Sequence, residues 1–118
     1  MSVETLMYSS LKTLVSNHVY RDIAPADVTT LPRITFQQVG GQAINFLNGT
    51  PSKKRARIQV NCWDARRDDV MALARLVEDT LRTVSTLQAT VLGAAVAIYE
   101  EDTKLFGALQ DFDVAYDD

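Results

Sequence analysis

The sequence predicts an α+β fold: a mainly antiparallel sheet of about four strands, two helices packed on one face, and one long hairpin loop. Three observations predict it. Residues 3–15 and 68–84 keep an apolar stripe at helical spacing. Residues 33–39 and 55–63 alternate apolar and polar, the period of a half-buried strand. Two further runs, 91–99 and 105–116, have strand character. One sheet with both helices on the same side buries every stripe at once.

The first helix places Val3, Met7, Leu11 and Leu14 on one face, flanked by Leu6 and Val15, with Ser2 able to cap its start. Asn17 and His18 end it, and Val19-Tyr20 is a short extended piece. Pro25 and Pro32 bracket a polar loop, Ile23 to Leu31, that cannot be helical throughout. The first strand turns Ile34 and Phe36 one way and Arg33, Thr35 and Gln37 the other. Gly40-Gly41 breaks it. Gln42 to Lys54 reads as a long loop or hairpin tip, with Asn48-Gly49 and Pro51 as turn signals. In the second strand Ala56, Ile58, Val60 and Cys62 share one face, and Arg55, Arg57, Gln59 and Asn61 the other. Trp63 ends on the polar side and needs cover. Asp64 is a candidate N-cap, unless Arg66-Arg67-Asp68 delays the second helix by a turn. Val70, Leu73, Ala74, Val77 and Leu81 form that helix's stripe, widened by Met71 and Leu76. Ser85–Thr90 is a linker, Val91–Tyr99 a strand, and Glu100-Glu101-Asp102 a charged turn. Leu105–Tyr116 is the last strand, with Phe112, Val114 and Tyr116 alternating against Asp111, Asp113 and Ala115.

The chain has 118 residues, 47% of them hydrophobic and 23% charged, the composition of one globular domain spanning 1–118. The longest apolar run is too short to cross a bilayer, so no membrane role is expected. The N-terminus does not read as a secretory signal. One cysteine excludes an internal disulfide framework and suits a reducing compartment.

The formal net charge of −3 hides an uneven distribution. Residues 50–67 hold Lys53, Lys54, Arg55, Arg57, Arg66 and Arg67 against Asp64 alone. Residues 100–118 hold seven carboxylates against Lys104. Either opposite charges lie on neighbouring strands of one sheet, or two faces of one subunit attract each other head to tail in a ring. The acidic total and the absence of an aromatic ladder leave at most weak, non-specific contact with DNA.

Catalytic chemistry finds little support. His18 is the only histidine, at a predicted helix end. Cys62 lies on the apolar face of a strand, the place of a small buried hydrophobe rather than a nucleophile. One Cys and one His cannot supply a zinc site, and the carboxylates match no calcium loop. Gly40-Gly41 opens no helix and is not a phosphate loop. No catalytic, metal or cofactor-binding residue is assigned, and no cofactor is expected. Two features stand out instead: Ile44, Phe46 and Leu47 on the long loop, and Trp63 on a polar face. Each is either folded onto its own domain or offered to a partner.

Several segments together resemble a known family. They are Val19-Tyr20-Arg21-Asp22 with Ala24-Pro25, then Leu31-Pro32-Arg33-Ile34-Thr35-Phe36, then Arg55 through Trp63. A helix rich in Ala and Leu and a terminal Asp111-Phe112-Asp113-Val114 follow. In this order they are similar to the tail completion, or tail terminator, proteins of long-tailed bacteriophages and prophages. The resemblance implies a non-enzymatic structural protein with helices against a mainly antiparallel sheet. It implies a ring, typically six-fold, that caps the growing tail tube, stops its polymerisation and helps join tail to head. The implied partners are further copies of the chain, the tail tube protein and the head–tail connector protein. The implied location is the virion tail, with assembly in the host bacterial cytoplasm. Phe46, Leu47, Lys53, Lys54, Arg55 and Arg57 are then candidate contacts to tube or neighbours, with Asp111 and Asp113 as their acidic counterparts. A head–tail connector of the neck is the nearest rival reading. A small α/β ligand-binding domain or enzyme, or a nucleic-acid-binding module, comes after it.

Overall fold

In a computed structural model the described residues are 2–40 and 53–117. The helix α1 spans Val3–Leu11, and a 3-10 turn, Lys12–Val15, continues it. Ser2 caps α1, its Oγ accepting from the Thr5 backbone N–H at 3.1 Å. Val3, Met7 and Leu11 are buried, as the spacing predicts; past Leu11 the tighter 3-10 turn buries Val15, read as flanking, and leaves Leu14 only partly buried. Ser16 and Asn17 adopt left-handed backbone angles and turn the chain into β1, Val19–Arg21.

Among the described residues the sheet has six strands rather than about four: β1, β2 (Arg33–Gln38), β3 (Lys53–Asp64), β4 (Gln88–Val91), β5 (Val96–Glu100) and β6 (Leu105–Asp117). Two of the differences have simple causes. β1 is three residues long, too short to show an alternation, and it joins β2 in parallel, Val19 opposite Ile34. The apolar run 91–99 is split at Leu92–Ala95, so its two halves pair with different stretches of β6. Gln88–Thr90, read as linker, belongs to β4. The remaining pairs are antiparallel, in the order β1-β2-β3-β6-β4, with β5 also on β6. The expected hairpin of β2 and β3 is present. Its tip falls in residues 41–52, outside the described residues, together with Phe46, Leu47, Asn48-Gly49 and Pro51.

The helix α2 spans Arg67–Thr83. Entry is delayed: the N-cap is Arg66, and Asp64 instead accepts from the Ala65 N–H at 2.7 Å. Asp68 and Asp69 in the first turn and Arg82 in the last complement the helix dipole. Val70, Leu73, Ala74, Val77 and Leu81 are all buried, but Leu76 is exposed and does not widen the stripe.

One face of the sheet carries the core. Ala56, Ile58, Val60 and Cys62 of β3 lie opposite Val114, Phe112, Gln110 and Ala108 of β6. With Ile34 and Phe36 of β2, the apolar members of these pairs pack against α1 and α2 in one cluster. Gln110 is the exception that the sequence does not announce, a polar side chain on the core face. Its Nε2 donates to Glu78 Oε1 of α2 and to the Gly93 carbonyl between β4 and β5, both at 2.8 Å. It therefore ties helix, central strand and edge together.

A Gln110→Leu substitution keeps the volume but leaves both acceptors unmatched. Both acceptors keep access to water, Glu78 being half-buried and Gly93 exposed, so the substitution should lower unfolding stability by about 0.5–1.5 kcal/mol, the net worth of a hydrogen bond. Urea unfolding of the two proteins checks this.

Candidate functional site

The core face is closed, so the sheet offers its other face, the bare face, and its edges for recognition. Among the described residues no helix covers the bare face. Its central strands present Arg55, Arg57, Gln59, Asn61 and Trp63 from β3 and Gly107, Leu109, Asp111, Asp113 and Ala115 from β6. The charges pair diagonally within the chain. Arg55 Nη2 bonds Asp113 Oδ2, and Arg57 reaches Asp111 Oδ2 through Nε at 3.0 Å and through Nη2. Neighbouring strands of one sheet thus bring basic and acidic segments together, the first of the two readings of the charge pattern.

Of the eight interface candidates, the structure gathers these four. Lys53 and Lys54 begin β3, at the same end of the sheet as the ion pairs. Lys53 lies opposite Asp117 in the β6 register. Phe46 and Leu47 lie outside the described residues.

At the opposite end of the bare face Trp63 has its cover. The indole lies across Gly107, its cross-strand partner: a Cβ there would sit 2.8 Å from Trp63 Cζ3 and 2.9 Å from Ile98 Cγ1. Trp63 Nε1 donates to Thr35 Oγ1 at 3.2 Å. The loop 22–32 folds over this end, fastened by Arg33 Nη1 to the Val28 carbonyl at 3.3 Å. Between loop and sheet lies a hollow of about 540 Å³, lined by Ile23, Pro25, Leu31, Asn61 and Trp63 among others. Asn61 Nδ2 donates weakly to Thr35 Oγ1 at 3.4 Å. Asn61 Oδ1 is buried without a hydrogen-bond partner among the described residues.

This hollow can hold a side chain or a small donor. It lacks the parts of a nucleophilic centre. Its ionisable lining groups are Asp22, Arg33 and Glu100, with neither His nor Cys among them. Cys62 points to the core on the far side of the sheet, and burial pushes its thiol from 9.0 up to about 12. His18 Nδ1 lies 3.0 Å from the Ser16 carbonyl, in the turn before β1. Among the described residues no three His, Cys, Asp or Glu side chains are placed to hold a metal ion.

Two outcomes follow from this geometry. Gly107→Ala should cost about 1–3 kcal/mol, since the added methyl overpacks against the indole. Denaturant unfolding followed by Trp63 emission, the chain's single tryptophan, reads it directly. The Arg57–Asp111 pair is partly exposed, with side-chain exposures of 53% and 23%. Its coupling energy in a double-mutant cycle should stay below about 1 kcal/mol and shrink with added salt.

The comparisons with known proteins agree with this architecture. A chain from a structure titled "Virion of native gene transfer agent (GTA) particle" shares the fold, with a TM-score of 0.65 at 15% identity. The match covers 99% of this chain and 96% of that one. No curated protein matches the sequence. The model of the family "Tail completion protein gp17" matches residues 6–117, nearly the whole length. The chain therefore belongs to the tail completion protein gp17 family, structural proteins of the phage-type tail.

Proposed function

We propose that the chain caps the end of the tail tube as an oligomeric ring, stops tube polymerisation and helps join the tail to the head. The observation that carries this reading is the family match over residues 6–117. The fold shared with a chain of a gene transfer agent virion fits it. The partners are further copies of the chain, the tail tube protein and the head–tail connector protein. The work is done by surfaces, without catalysis or cofactor. The isolated positions of His18 and Cys62 support that view.

The protein acts in the virion tail and is assembled there in the cytoplasm of the bacterial host. Phe46, Leu47, Lys53, Lys54 and Arg55 form the contact to tube or neighbouring copies. Arg57, Asp111 and Asp113 extend that contact across the bare face. DNA passing through the ring meets at most a weak attraction, because Arg55 and Arg57 are engaged by carboxylates of their own sheet.

Deleting the gene in the parent phage or prophage and imaging the particles by electron microscopy tests the reading. Tails of uncontrolled length with unattached heads are expected. Tails of normal length without heads would assign the chain to the neck connector instead. Intact infectious particles would contradict both assignments.

A further inference from the structure

The sheet has an edge on each side, and the two differ. Among the described residues β1 pairs only with β2, and β5 only with β6. β5 is an unguarded edge. Val96, Ala97, Ile98 and Tyr99 precede its first charge, Glu100, and include no Lys or Pro. Val96 is 59% exposed and Tyr99 44%, with Leu92 beside them at 48%. An apolar strand edge of this kind is a template for adding another strand.

The backbone polarity of both edges follows from the hydrogen bonds. Ile34 N–H donates to the His18 carbonyl at 3.0 Å and Asp22 N–H to the Phe36 carbonyl at 2.7 Å. In β1, His18, Tyr20 and Asp22 thus face β2, which leaves the backbone of Val19 and Arg21 facing outward, Val19 with 5% of its surface exposed and the Arg21 carbonyl already accepting from the Ile23 N–H at 2.6 Å. On the other side, Leu92 N–H donates to the Asp111 carbonyl at 3.0 Å. By alternation the odd residues of β6 bond toward β4 and β5. Their partners Val96, Ile98 and Glu100 then face β6, and Ala97 and Tyr99 face outward.

The two edges are also level and opposed in direction. Counting across the sheet, Tyr20 lies beside Thr35, Thr35 beside Asn61, Asn61 beside Leu109 and Leu109 beside Val96. Val19 reaches Ala97 in the same way. β1 runs parallel to β2 and each later step reverses direction, so β5 is antiparallel to β1. Two copies laid side by side in the same orientation bring an outward Ala97 opposite an outward Val19. The side chains of Ala97 and Tyr99 share the helix side of the sheet with Ala108 and Phe106. There the β1 edge offers a hollow of about 360 Å³ between α1 and β1, lined by Thr5, Tyr8, Val19, Tyr20, Arg21 and Phe36. The acidic turn Glu100–Asp102, in which Glu101 is paired with Lys104 at 3.0 Å, comes beside the turn Lys12–His18 with its Lys12, so the net charges are opposite.

We infer that β5 of one copy adds to β1 of a second copy as an antiparallel strand, so that the sheet continues from subunit to subunit head to tail. This rests on the reading of the chain as a self-assembling tail component. It assigns the subunit contact to the edges and leaves the bare face to other partners. A heterologous contact of this kind repeats around a ring, whereas β5 against β5 would stop at a dimer.

Cysteine pairs test it. Tyr20 and Val96 both bond inward, so across the join they form a non-hydrogen-bonded pair with Cα atoms about 4.5 Å apart, within disulfide range. A gene carrying Tyr20→Cys and Val96→Cys should replace the natural one in the producing cell. Purified particles are then oxidised and resolved on a non-reducing gel. A ladder of cross-linked multimers is expected from the double variant, and monomer from each single variant. Buried Cys62 does not compete.

A double variant that is present in particles but stays monomeric would overturn the edge contact and leave the tail role standing. Dimers from Val96→Cys alone would replace it with a β5–β5 contact. Absence of the natural chain from particles of the unmodified producing cell would overturn the tail role as well. Ala97→Pro gives an independent reading. It removes an N–H that points away from β6, so β5 keeps its own ladder. Loss of the folded variant from particles is expected, and incorporation at the natural level would contradict the inference.

Discussion

The structure depends on the pairing of β3 with β6. The twelve residues of β3 run antiparallel to β6 from Lys53 opposite Asp117 to Asp64 opposite Phe106. The strand period of two makes this single ladder serve both sides. One parity supplies the core beneath the helices. The other supplies the Arg55–Asp113 and Arg57–Asp111 pairs and the Trp63–Gly107 contact. A slip of one residue would put arginines under α2 and isoleucine in water, so the register is strongly determined. The ion pairs add little energy at their exposure.

How much of this was legible follows from local pattern strength. The α2 stripe and the β2–β3 alternation predict their core-face residues one by one, because each repeats over several periods; Thr35, on the opposite face of β2, is buried as well and lies outside that pattern. The number of strands was not legible. Val19–Arg21 is strand only because β2 lies alongside it. In the run 91–99 the interruption at Leu92–Ala95 is hidden by apolar neighbours on both sides. Gln110 was unreadable for another reason: its partners, Glu78 and the Gly93 carbonyl, are remote in sequence. At the candidate interface, the sequence shows that basic and acidic segments exist and that neighbouring strands could unite them. The diagonal match of Arg55 with Asp113 and of Arg57 with Asp111 needs the register. The contrast between the two sheet edges needs the whole topology.

The division of surfaces suits a structural subunit. One sheet face is closed by helices, the other is bare and internally charge-matched, and the β5 edge is open. Rigid placement comes from the central ladder, while the shortest strands lie at the rim. The subunit's single thiol is held protonated in the core, where burial raises it to about 12.

The most direct test of the account is a cryo-electron microscopy reconstruction of the head-proximal end of the tail in the parent particle. The account predicts a ring of copies of this chain seated on the last layer of the tube, with density between the helix-covered sheets of adjacent copies. Finding the chain elsewhere in the particle, or as isolated copies without mutual contact, would contradict it.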